Sequence, residues 1–111
     1  MSQSKKKSFF AILDEKNSKL SLISALDGKI ENTNETINEL DQKDMVSLEK
    51  FLNKHGKDSL KEKIWKISQA TFSILQWISK DKSRKQLIVS LQDSKINYCK
   101  ELIKTYKKLT N

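Results

Sequence analysis

Apolar positions in this chain recur mostly at intervals of three and four. They are densest from Ile64 to Ile78, IWKISQATFSILQWI. Placed on a helix of 3.6 residues per turn, Leu60, Ile64, Ile67, Thr71, Ile74 and Ile78 stack on one side. Trp65, Ala70, Phe72, Leu75 and Trp77 widen that side, leaving only Glu62, Lys66, Gln69, Ser73 and Gln76 as a polar sector. The arc exceeds the stripe of roughly 100° that a surface helix shows, so the pattern predicts a central helix nearly surrounded by partners. The run is shorter than the about 20 residues that span a bilayer.

The other clusters read in the same period. Ile23, Leu26, Ile30, Thr33, Ile37 and Leu40 follow the a/d spacing of a heptad seam. With Phe9–Leu13 behind a capping Ser8, they predict one helix over 9–40, kinked or broken at Gly28. A polar link, Asp41–Asp44, leads to a short helix over 45–55, with Met45, Leu48, Phe51 and Leu52 inward and Gly56 as a left-handed residue after its end. Ser59–Glu62 forms a capping box that opens the central helix, 59–79. Ser83–Gln86 forms a second box, opening a last helix over 83–109 with Leu87, Leu91, Tyr98, Leu102 and Leu109 inward and Cys99 and Ile103 beside them. No alternation of period two is long enough to argue for a sheet. The expected fold is therefore all-α: a small helical bundle of three long helices plus one short helix, forming a single domain over 8–111 behind a disordered basic tail, 1–7.

Composition supports long elements. The 111 residues include no proline and two glycines, so breakers are scarce. The net charge is +8, and Arg84 is the only arginine among 22 basic residues. Lysine acts as a point charge where arginine offers a planar fork, so this basicity suits non-specific attraction better than base reading. One cysteine, Cys99, permits no internal disulfide. The apolar block after Lys5–Lys7 is too short for a signal peptide, which makes the cytoplasm the expected location.

Candidate chemistry is sparse. His55 is the only histidine, which argues against a histidine metal cluster and a Ser-His-Asp triad. Its place near a helix end suggests an interaction with terminal carbonyls. Gly28 and Gly56 stand alone, so no phosphate loop is present, and no catalytic residue, metal or cofactor is expected. Trp65 and Trp77 lie twelve residues apart and read as core or as interface anchors. Lys100, Lys104, Lys107 and Lys108 share one side of the last helix, opposite Tyr98, Leu102 and Leu109, as a candidate face for an anionic partner. Ile23, Leu26, Ile30, Ile37 and Leu40 form a candidate seam for a partner helix, which a second copy of the chain could also supply.

In size, charge and expected helicity the profile is similar to that of small bacteriocin immunity proteins. The Lys100–Leu109 segment is similar to the last helix of transcription-elongation-factor N-terminal domains. Neither likeness rests on a motif, and no site residue follows from either. The expected function is non-enzymatic binding of a protein partner. The alternative is non-specific attachment to nucleic acid or an anionic membrane surface through the lysine-rich last helix.

Overall fold

The run Phe9–Leu13 forms a strand, and the all-α expectation fails there first. The structure, a computed structural model, describes residues 6–59, 63–87 and 96–110. Within them the order is β1 (Lys7–Asp14), β2 (Lys19–Leu26), β3 (Lys29–Ile37), α1 (Gln42–His55), β4 (Gly56–Ser59), β5 (Ile64–Ile67), α2 (Gln69–Ser79), a short 3₁₀ helix (Lys82–Gln86) and α3 (Ile96–Thr110). The strands make one antiparallel sheet in the order β3-β2-β1-β5-β4. The fold is α+β, with neither a coiled coil nor a helix over 9–40.

Local chemistry explains the hairpins. Asp27 and Gly28 both take positive φ, 51° and 83°. Two such residues make the turn whose twist matches the flanking strands, and Asp-Gly is its favoured pair. Gly28 thus reverses the chain where the sequence suggested a kink. At the β1–β2 turn, Asp14 accepts from the Asn17 backbone N–H at 3.2 Å and from Asn17 Nδ2 at 2.8 Å. These bonds, the side-chain one first, hold the Asp14 carboxyl below its ordinary range. Lys63 pins this turn to α1, its ammonium lying 2.8 Å from both Glu15 and Glu49. Hydrogen bonds to Glu15 and then Glu49 raise its pKa.

One face of the sheet builds the core. Phe9, Ala11 and Leu13 of β1, Leu20 and Leu22 of β2, and Trp65 and Ile67 of β5 are buried on it. Met45, Leu48, Phe51 and Leu52 of α1 meet them, as do Phe72, Ile74, Leu75, Trp77 and Ile78 of α2. Cys99 and Ile103 are the buried residues of α3. Both tryptophans are therefore core residues, and Cys99 is a buried thiol.

The central stretch divides. Ile64–Ile67 pairs with Phe9–Ile12 as β5, and Ser68 then caps α2 by accepting from the Thr71 N–H at 3.1 Å. Ser59 lies on β4, and the rest of the capping box proposed there, residues 60–62, falls outside the described residues. Asp41 caps α1 by accepting from Asp44 at 2.7 Å. Asp81 caps the 3₁₀ helix through Ser83. The residues proposed as a capping box, Ser83–Gln86, therefore lie within this short turn and Asp81, not Ser83, is its cap; α3 is described from Ile96. Lys6 and Lys7 are not tail: Lys6 C=O accepts from the Asp27 N–H, and Lys7 starts β1. Residues 1–5 and 88–95, with Leu91 among them, lie outside the described residues.

Gly56 is extended (φ −89°, ψ 156°), not left-handed. A Cβ there would meet Leu52 O at 2.7 Å and Trp65 Cβ at 3.1 Å, so glycine is needed for close approach. His55 beside it stacks on Phe51, ring centroids 4.6 Å apart, and its Nε2 is buried without a hydrogen-bond partner among the described residues. The expected link to terminal carbonyls is replaced by ring packing. Burial first, and then Lys54, lowers its pKa. The unfolded chain therefore binds the proton more readily than the folded one. Stability should be fully present above the ordinary histidine value of about 6.5 and fall as pH drops through it toward the lower folded value. Thermal melts from about pH 7.5 to about pH 5 should show this loss, and His55→Phe should flatten it.

Candidate binding surfaces

The sheet's second face is apolar as well. The register sets three cross-strand rows on it. Lys57, Lys66, Phe10 and Ile23 form one, and Ile64, Ile12, Ser21 and Thr36 the next. Ser8, Ala25 and Ile30 form the third. Phe10, Ile12, Ile23 and Ile64 are half-buried by one another, and Ile30 is 64% exposed. None of the five belongs to the core cluster, and no described helix packs over them. They line a shallow cavity of about 300 Å³ that runs to Gly28. An antiparallel sheet with one solvated face ordinarily alternates apolar inward and polar outward. This sheet does not.

Its electrostatics are one-sided at the β5–β4 border. Lys57 and Lys66 stand directly opposite each other on neighbouring strands, next to Phe10. Both are exposed, and neither has an ion-pair partner among the described residues. Like charges in directly opposed positions destabilise a sheet. A bound anionic group would relieve that repulsion.

The predicted helix seam is split by the sheet. Ile23 and Ile30 are on the open face, Ile37 and Leu40 are in the core, and Leu26 is half-buried at the end of β2. Ile23 and Ile30 thus belong to a surface, but one that periodicity did not outline. Phe10, Ile12 and Ile64 were missed because they read as helix interior.

Helix α3 carries the second surface. Lys100, Lys104, Lys107 and Lys108 are exposed along it. Tyr98, Leu102 and Leu109, expected inward, are exposed instead (63%, 43% and 81%), and Cys99 and Ile103 are the ones buried. The helix is turned relative to the expectation because α2 offers it only a narrow seam. That seam closes on Arg84. Its guanidinium packs against the rings of both Trp77 and Tyr106, 4.4 and 4.5 Å from their centroids. It donates from Nη1 to Trp77 O at 2.7 Å and sits 3.7 Å from Asp81.

Among the described residues no three His, Cys, Asp or Glu side chains gather to hold a metal, and no helix is long and apolar enough to cross a membrane. No family model, curated protein or solved structure matches this chain.

Proposed function

We propose that this protein is a non-enzymatic binding module that holds an amphipathic, acidic segment of another protein on the open face of its sheet. The observation that carries this reading is the placement of Phe10, Ile12, Ile23, Ile30 and Ile64 on the face away from every described helix. Fully burying one such side chain contributes about 1.5–3 kcal/mol, so covering five half-exposed ones supplies a driving force that solvent leaves unused. The segment's apolar stripe would lie along the cavity, and its carboxylates would meet Lys57 and Lys66. A second copy of the chain is a poorer occupant, because each copy brings a net charge of +8. Strand addition at β3 is also less favoured. Its pairing with β2 is bulged, and Lys29 and Glu31 stand exposed on that edge. A protein-binding module with one buried cysteine suits the cytoplasm.

Two helical peptides with the same apolar stripe, one bordered by glutamate and one by lysine, test the reading. The glutamate peptide should shift the amide resonances of Phe10, Ile12, Ile23 and Ile64, and the lysine peptide should bind at least about tenfold more weakly, a difference of about 1.4 kcal/mol. Phe10→Asp should abolish binding with the fold intact by circular dichroism. Lys57→Glu with Lys66→Glu should reverse the preference. Equal binding of both peptides, shifts confined to the helices, or a dimer formed through this face in sedimentation would overturn it.

A further inference from the structure

A second site lies between α2 and α3, on the opposite side of the fold's helical layer from the open sheet face. There Lys100, Lys104 and Lys107 of α3 border a cavity of about 170 Å³ whose other wall includes Ser73 of α2 and whose floor includes Ile103. Three ammonium-bearing side chains at steps of four and three residues share one flank of the helix. Ser73 is half-buried, and its side chain has no hydrogen-bond partner among the described residues. Lys100 likewise has no ion pair there, and the Lys104–Glu101 contact is long, at 4.0 Å, and exposed. Among the described residues no carboxylate lines the cavity.

We infer that this cleft binds a small phosphate-bearing anion, with Lys100, Lys104 and Lys107 supplying charge and the Ser73 hydroxyl donating a hydrogen bond. Several features narrow the ligand class. Lysines give point charges suited to phosphate oxygens without the fork that selects planar carboxylates. The cavity is smaller than the about 300–1,000 Å³ of pockets for drug-sized ligands, so it suits one or two phosphate groups rather than a whole nucleotide. Among the described residues no aromatic ring lines it, so the stacking platform of a single-strand binder is missing there. A lipid surface fits poorly. The exposed apolar stripe of Tyr98, Leu102 and Leu109 lies on the other side of α3, so a helix seated on that stripe would turn these lysines away from the headgroups.

The test is titration of the full chain with pyrophosphate, followed by amide shifts and calorimetry. The expected result is saturable one-site binding with the largest shifts at Ser73, Lys100, Ile103 and Lys104. Lys100→Gln and Lys104→Gln should each weaken it roughly fivefold, and the pair should abolish it. Ser73→Ala should weaken it about threefold, consistent with loss of one hydrogen bond. Lys57→Glu with Lys66→Glu should leave it unchanged, which separates this site from the sheet face. All these positions are partly or fully exposed, so the fold should survive, with unchanged melting temperature as the check. Shifts spread evenly over all surface lysines, or insensitivity to Lys100→Gln and Ser73→Ala, would overturn the site. So would binding of an oligonucleotide or anionic vesicles without any binding of pyrophosphate.

Discussion

Trp65→Ala should destabilise the protein by about 3–5 kcal/mol, the range for removing a large aromatic from a core. Domains of this kind hold about 5–15 kcal/mol in total, so the variant would sit near the edge of folding. The size follows from what the indole joins. Trp65 is 2% exposed on β5, and its Nε1 donates to Asn53 of α1 at 2.9 Å. Its Cβ and Cδ1 lie 3.1 and 3.2 Å from where a Gly56 side chain would begin. The ring therefore fills the corner where α1 ends, β4 starts and the sheet turns back. Asn53→Ala removes only the hydrogen bond and should cost about 1 kcal/mol. Urea unfolding followed by far-ultraviolet circular dichroism separates the two, since both should move the midpoint without changing the slope. A cost below about 1 kcal/mol for Trp65→Ala would show that this corner is not closed as described.

Arg84→Ala should cost about 2–3 kcal/mol, and the loss should be felt mainly by α3. A desolvated cation over an aromatic face contributes about 2 kcal/mol, and a hydrogen bond from a charged donor about 1.5–3 kcal/mol. The cost of desolvating the guanidinium, whose side chain is 17% exposed, offsets part of that sum. Trp77 and Tyr106 are themselves in edge-to-face contact, 5.3 Å apart, and with Arg84 gone both rings lose the cation that packs against them. Arg84→Lys should recover little, because an ammonium has no planar face to lay against the rings while it donates in plane. Hydrogen exchange should show α3 amides opening several-fold faster while those of β1 and β2 change least. Uniform loss of protection across the chain would mean that α3 is integral to the global fold rather than clipped on by this one residue.

The sheet face explains why the strands were hidden. A strand with one wet face announces itself by alternation. In β1 the inward residues Phe9, Ala11 and Leu13 interleave with outward Phe10 and Ile12, so the sequence shows an unbroken apolar run. The side chains proposed to hold a partner are thus the ones that erased the period of two. Asp27–Gly28 was the readable clue to a hairpin. A heptad-like spacing masked it: the two-residue turn returns Ile30 to the face of Ile23, and Ile37, seven residues further along β3, falls on the other face.

What the sequence determined by itself is local. The helical segment after the polar link Asp41–Asp44, its inward residues Met45, Leu48, Phe51 and Leu52, and the exposed lysine flank of the last helix follow from intervals of three and four. What only the tertiary structure decided is pairing. Ile64–Ile67 has the apolar content of the helix that follows it, and it becomes a strand because Phe9–Ile12 supplies its hydrogen-bond partners. The same holds for α3. Its period allowed Tyr98, Leu102 and Leu109 to face inward, and the narrow seam on α2, closed by Arg84, chose Cys99 and Ile103 instead. Helix hydrogen bonds close within four residues, whereas a sheet's close across the chain, so its faces exist only once the strands have met.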